Sequence, residues 1–392
     1  MSLSIKNCRI IHNGKLISTN IFIDNGKITK IGGFVDADEI LDAHNNIVLP
    51  GVIDPHVHFR EPGFEYKEDL LSGSRAAAAG GATTFLDMPN TNPTTTTIEA
   101  LQEKRELARK CVVNYGFHFG SSENNIDEIR KAANTASLKI YMNPTTGNMK
   151  LEDEGLLRDL FSSHNTIAVH AEDEMIRKAV DLSNTLKNKL YICHQSTKEG
   201  LDYINQNRGN ILVETTPHHL FLTEEDQNQF VKMKPPLVTK QDQEALWQGI
   251  HEGSINTIGT DHAPHTISEK ESGEFFGVPG VETSLPLLFN AVNKNMLSLQ
   301  QLIELTSHNP ARIFGIKNKG FIEQGFDADF VIVDPHLTKK VKNEELFTKC
   351  GWSPFNNWEL EGWPITTIVN GNVVFEHGEV YDIKAREVVF NG

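Results

Sequence analysis

Between residues 50 and 265, short apolar runs alternate with longer segments whose apolar positions recur every three or four residues. The first pattern is that of buried strands and the second that of helices packed on one face. The runs at 47–53, 83–88, 115–119, 138–142, 166–170, 190–194, 211–215 and 255–261 read as strands, and segments such as 98–110 and 172–187 read as helices. Eight βα units predict an α/β fold, a (β/α)8 barrel whose functional residues gather at the C-terminal ends of the strands. Residues 281–316 read as helices completing the outer layer. The chain ends have another texture, with period-two runs at 4–11, 21–28, 328–333 and 368–374 and hairpin signals at Asn13-Gly14 and Asn370-Gly371. Neither end has enough strands to bury a core alone. The expected organisation is a barrel over 53–325 beside one small β-sandwich built jointly from 1–52 and 326–392.

The polar residues at the predicted strand ends suggest metal chemistry. His56 and His58 lie two residues apart in an extended segment, so both imidazoles face one side and can chelate one cation. Strand two ends near Asn90, strand four carries Lys139, and strands five, six and eight end in His170, His194 and Asp261. Four imidazoles and a carboxylate exceed what one four-coordinate ion takes, whereas two ions sharing a bridge would use them all. Lys139, inside the apolar run Leu138-Lys139-Ile140-Tyr141, needs a special partner. It is either a carbamate bridging two metals or a cation that binds substrate. Arg60, two residues beyond His58, is placed to grip a carboxylate with its planar fork. His218 and His219 line the pocket, orient Glu214 or pack structurally. His262 is expected to orient a ligand at most, and His118 to face the barrel interior without being a ligand. Strict alternation turns Cys193 away from the metals.

Composition narrows the partners. A net charge of −15 over 392 residues argues against nucleic acid or an anionic membrane as partner, although an anionic small molecule stays compatible with a local field set by metals and Arg60. Four cysteines without a Cys-X-X-Cys pattern, no visible signal segment and no apolar stretch of the ~20 residues needed to span a bilayer lead to the expectation of a cytoplasmic protein.

Two segments carry a family resemblance: Asp54-Pro55-His56-Val57-His58-Phe59-Arg60-Glu61-Pro62-Gly63 and Gly259-Thr260-Asp261-His262-Ala263-Pro264-His265. Met88-Pro89-Asn90-Thr91-Asn92-Pro93, Gly280-Val281-Glu282-Thr283 and Asn309-Pro310-Ala311-Arg312 support them. The chain resembles the amidohydrolase superfamily and, within it, the dihydroorotases. The resemblance implies two Zn2+ ions per chain, with His56 and His58 on the first, His170 and His194 on the second, and an N6-carboxylated Lys139 bridging them. It implies that Asp261 binds the first metal and moves protons, while Arg60, Asn90 and His265 hold the free carboxylate of the substrate. The implied reaction is the reversible hydrolytic opening of dihydroorotate to N-carbamoyl aspartate in de novo pyrimidine biosynthesis, carried out by a possible homodimer. Alternatives are another cyclic amidohydrolase (dihydropyrimidinase or allantoinase) or a catalytically silent partner subunit. Two departures stand out. Asn143-Pro144-Thr145-Thr146-Gly147 replaces the Asp-Asp-Gly loop of many bacterial relatives, which places the chain nearer the lysine-bridged branch. Lys234-Pro235-Pro236-Leu237-Val238 stands where those relatives tend to have Asn-Pro-Pro-Leu-Arg.

Overall fold

Eight parallel strands form the barrel: Val52–Val57, Ala82–Asp87, Asn114–Phe117 continued by Phe119–Gly120, Leu138–Tyr141, Thr166–His170, Lys189–Ile192, Ile211–Thr215 and Thr257–Ile258. The computed structural model describes residues 2–145 and 149–391; Thr146 and Gly147 of the loop after strand four lie outside the described residues. Strand three is interrupted at His118. This side chain is satisfied inside the barrel, with Nδ1 2.7 Å from Ser137 Oγ and Nε2 3.0 Å from the Pro55 carbonyl. The ring closes where the His58 N–H donates to the His262 carbonyl at 2.8 Å, beside the parallel bridge of Val57 with His262.

Several of the helices start at side-chain caps that the sequence supplies. The Asp69 carboxylate caps Leu70–Ala79, and the Thr97, Thr197 and Thr239 hydroxyls cap Ile98–Ala108, Lys198–Gln206 and Lys240–Glu252. The helix Glu174–Leu186 buries Ile176, Ala179, Val180 and Ser183, positions three and four apart, against the barrel wall. Each large aliphatic side chain buried this way contributes about 1.5–3 kcal/mol relative to exposure.

The two chain ends meet in one hydrogen-bonded mixed sheet of nine strands. Ile47–Pro50 pairs in parallel with Ser2–His12 and antiparallel with Phe330–Lys340, which joins the halves of the sheet immediately before the first barrel strand. Its core includes Ile5, Ile10, Ile21, Ile28, Val48, Phe330 and Ile368. The tail then leaves the sheet: Val388 and Phe390 pack at the barrel beside Leu86 and Phe314. Between Phe330–Lys340 and Glu359–Val369, the chain covers the loops after the last barrel strands. There Trp352 packs with Met233 and Val278, and its Nε1–H donates to the His265 carbonyl at 2.7 Å. No helix among the described residues is long and apolar enough to cross a membrane.

Candidate active site and metal centre

A cleft opens at the C-terminal end of the barrel, lined by His56, His58, Arg60, Asn90, Lys139, Tyr141, His170, His194, Lys234, Asp261 and Phe276. The imidazoles form a continuous chain. Ring centroids lie 5.3 Å apart for His58–His56, 5.3 Å for His56–His194 and 4.6 Å for His194–His170. Residues scattered over six strands thus share one small volume.

Hydrogen bonding fixes which atoms point inward. His56 Nδ1 lies 2.7 Å from Glu214 Oε1, and His58 Nδ1 lies 2.6 Å from Asn90 Oδ1. Both partners accept, so both Nδ1 atoms carry hydrogen. The Nε2 atoms then approach Asp261 Oδ1, at 3.3 Å from His56 and 3.0 Å from His58. Burial alone would raise Asp261, but the surrounding imidazoles outweigh it and hold its carboxyl well below the usual range. Burial opposes a charged His56, yet Glu214 more than offsets it and lifts the imidazole to about 10, while burial drives His58 down to about 4. Lone pairs of two imidazoles and an ionised carboxylate therefore face one point. A proton on His56 relieves one of them; a divalent cation relieves all three, and the donor set is one that zinc accepts.

A second group adjoins the first. His170 Nε2 lies 3.1 Å from Glu172 Oε1, which leaves Nδ1 to face His194 Nε2 at 2.9 Å. Burial pushes both imidazoles below their ordinary value, as ligands require. His194 Nδ1 is buried without a hydrogen-bond partner among the described residues. Lys139 is fully buried, and its Nζ meets the Cys193 thiol at 2.9 Å, with the Tyr141 ring 5.2 Å away. One thiol cannot satisfy three ammonium hydrogens. Converting the amine to a carbamate, which keeps a single N–H and adds two acceptor oxygens beside the histidines, fits this surrounding.

The contact with Lys139 corrects the expectation for Cys193, whose sulfur points into the barrel. Alternation holds along Lys189–Ile192, placing Tyr191 and Cys193 on the inner face. At His194 the backbone turns left-handed, with φ of 37°, and brings the imidazole inward as well. Asp261 and Arg60 are also left-handed, at 47° and 63°. Such conformations cost about 1–3 kcal/mol each and persist only where their surroundings enforce them. At Asp261 the enforcement is visible: Asp54 accepts from the N–H and hydroxyl of Thr260 and from the His56 N–H.

Arg60 and Asn90 lie on the cleft wall, whereas His265 is fully buried behind Arg60 and does not line it. His218 and His219 also stay off the wall. His219 holds Thr216 and the Pro235 and Pro236 carbonyls. His262 accepts the Gly280 and Val281 N–H groups at Nδ1. Two contributors have no role of their own assigned from the sequence. Glu214 anchors His56, the Tyr191 hydroxyl (2.6 Å) and the His194 N–H (2.8 Å). The Tyr141 hydroxyl is buried, unpartnered among the described residues, on the cleft wall. Period two along Leu138–Tyr141, placing Tyr141 on the face of Lys139, was the available signal.

The comparisons agree with this architecture. The model of the amidohydrolase family matches residues 47–374. A dihydroorotase from Pyrococcus furiosus is 39% identical, with 85% of this chain and 83% of the relative covered. A dihydroorotase from Methanosphaera stadtmanae is 35% identical over 99% of each. Among solved structures, an L-hydantoinase (dihydropyrimidinase) from Arthrobacter aurescens superposes with a TM-score of 0.94 at 30% identity, covering 99% of both chains. A dihydropyrimidinase from Brevibacillus agri gives 0.92 at 26% identity over 100% of both. With its barrel, its flanking sheet and this match over most of its length, the chain belongs to the amidohydrolase family.

Proposed function

We propose that the chain catalyses the reversible hydrolytic opening of dihydroorotate to N-carbamoyl aspartate, as a zinc-dependent cyclic amidohydrolase of de novo pyrimidine biosynthesis. The observation that carries this is the guanidinium of Arg60, 4% exposed, on the wall of a cleft that also holds the histidine cluster. A buried guanidinium beside a hydrolytic centre calls for an anionic substrate. Relatives 35–39% identical bear the name dihydroorotase.

His56, His58 and Asp261 would hold one zinc and His170 and His194 a second, shared through a carboxylated Lys139. Zinc bound there supplies Lewis-acid polarisation of a carbonyl and lowers the pKa of water to about 7. The chain's own groups do the rest. Arg60 grips the ring carboxylate, with Asn90 beside it. Asp261, kept ionised, accepts a proton during attack on the ring carbonyl and delivers it to the departing ring nitrogen. In the reverse direction it takes a proton from the carbamoyl nitrogen as that atom closes on the side-chain carboxyl carbon, and returns it to the carboxylate oxygen that departs as hydroxide when the C–O bond breaks. Proton transfer of this kind contributes about 10²–10⁴-fold. The Tyr141 hydroxyl, free of protein partners among the described residues, is a donor for a substrate oxygen. A cytoplasmic location fits the four buried free cysteines, Cys8, Cys111, Cys193 and Cys350.

The likeness to hydantoinases favours a second reading, hydrolysis of uncharged cyclic amides. Such a substrate would leave Arg60 buried and unmatched, a mispairing that costs orders of magnitude in specificity. Steady-state assays with dihydroorotate, hydantoin and allantoin decide. Turnover of dihydroorotate far above the other two is expected; turnover of hydantoin without dihydroorotate would reverse the assignment.

A further inference from the structure

Behind Arg60 lies a buried relay that the reaction itself does not use. Lys67, 5% exposed, places its Nζ 2.8 Å from Glu269 Oε1 and 3.1 Å from His265 Nδ1, over the face of Phe275. Glu269 is held in turn by the Tyr66 hydroxyl at 3.0 Å and the Thr266 N–H at 3.1 Å. An ammonium only donates, so Nδ1 of His265 accepts. Burial, then Arg60, Lys67 and Lys270, push this imidazole down to about 2, so the ring is neutral and its single hydrogen sits on Nε2. That N–H donates to the Phe276 carbonyl at 2.9 Å, a carbonyl in the 275–277 turn that the Lys270 ammonium ties down through the Phe275 and Gly277 carbonyls.

The consequence falls on Arg60, whose Nη2 lies 3.2 Å from that same Nε2. A protonated Nε2 cannot accept from it. The Nε–H of Arg60 is committed to the Pro264 carbonyl at 3.1 Å, and with Nε2 of His265 protonated the terminal N–H groups have no protein acceptor among the described residues. The other tautomer would reverse this: Nδ1–H would donate to Glu269 Oε2, 3.3 Å away, and Nε2 would capture Nη2–H of Arg60. We propose that Lys67, anchored by Glu269, is a specificity-determining positioning residue that locks His265 in the Nε2–H tautomer and so keeps Arg60 uncapped for the carboxylate of the substrate. This rests on the functional reading above and deepens it: His265 serves the carboxylate through Arg60, and a lysine outside the cleft controls that service.

The test uses zinc-loaded full-length protein carrying ¹⁵N-histidine, with steady-state kinetics on dihydroorotate. In the wild type, the ring shifts of His265 should report Nε2–H; Nδ1–H overturns the proposal without any variant being needed. In Lys67→Met, the tautomer should switch and KM should rise at least about tenfold while kcat stays within about threefold, the pattern of lost uniform binding. Lys67→Arg, still a donor only, should retain the wild-type tautomer and stay within about threefold of the wild-type KM. An unmoved KM in Lys67→Met, a fall in kcat at constant KM, or Lys67→Arg as impaired as Lys67→Met each overturns it. Wild-type protein that fails to turn over dihydroorotate overturns the functional reading and the carboxylate role with it, whatever the tautomer.

Discussion

Glu214 Oε1 lies 2.7 Å from His56 Nδ1, although the two residues stand 158 positions apart in the chain. This contact fixes the imidazole so that Nε2 faces Asp261, and the same carboxylate takes the Tyr191 hydroxyl and the His194 N–H. One buried acid therefore orients histidines of both groups. Glu214→Gln should weaken zinc binding about 10–100-fold, the usual cost of losing such an outer partner, as read by competition with a chromophoric chelator. Unchanged affinity would show that the contact is incidental.

Asp261 sits where its carboxylate touches both imidazoles of the first group. Asp261→Asn keeps the volume and removes the proton acceptor. A fall in kcat of about 10²–10⁴-fold is expected, measured with metal content on the same samples so that lost metal and lost proton transfer are separated. Undiminished turnover would contradict the assigned role.

Arg60→Met should act on recognition. A hydrogen bond to a charged group contributes about 1.5–3 kcal/mol, so kcat/KM for dihydroorotate should fall roughly 100-fold, mostly through KM. Side-by-side kinetics on dihydroorotate and hydantoin test this, the uncharged amide losing far less.

Glu282 gives a pH signature away from the cleft. Burial, reinforced by Glu68 and opposed by the Phe347 and Thr348 N–H groups, raises it from 4.5 to about 8. Between those values the folded chain holds a proton that the unfolded chain has lost, so stability declines as pH rises through that window and levels off above it. Glu282→Gln removes this contribution. Melting curves at pH 5 and pH 9 should differ less in the variant than in the wild type, by roughly a few degrees.

Much of the barrel was legible because its signals are local. Each strand is an apolar run, and the period of two that puts His56 and His58 on one face needs no knowledge of distant partners. The limits appear where geometry is not local. Strand eight was expected over 255–261, but the ladder holds only at Thr257–Ile258, because Gly259-Thr260-Asp261 leaves it for contacts with Asp54, more than 200 positions earlier. Cys193 was misplaced for the same reason: alternation cannot foresee the left-handed turn at His194. Glu214 reads as one polar residue in a buried strand, and only the closed barrel brings His56, Tyr191 and His194 to it. The sheet at the chain ends was legible as a composite because neither half could bury a core, whereas the return of Val388 and Phe390 to the barrel has no periodic signature.

The most direct test of the central claim is the metal-to-protein ratio of the purified, zinc-loaded chain, measured together with its turnover of dihydroorotate before and after chelation. The convergence of His56, His58 and Asp261 beside His170, His194 and Lys139 predicts two zinc ions per chain, with activity lost on chelation and regained on adding zinc. Protein that retains no metal yet turns over the substrate unimpaired would contradict the account.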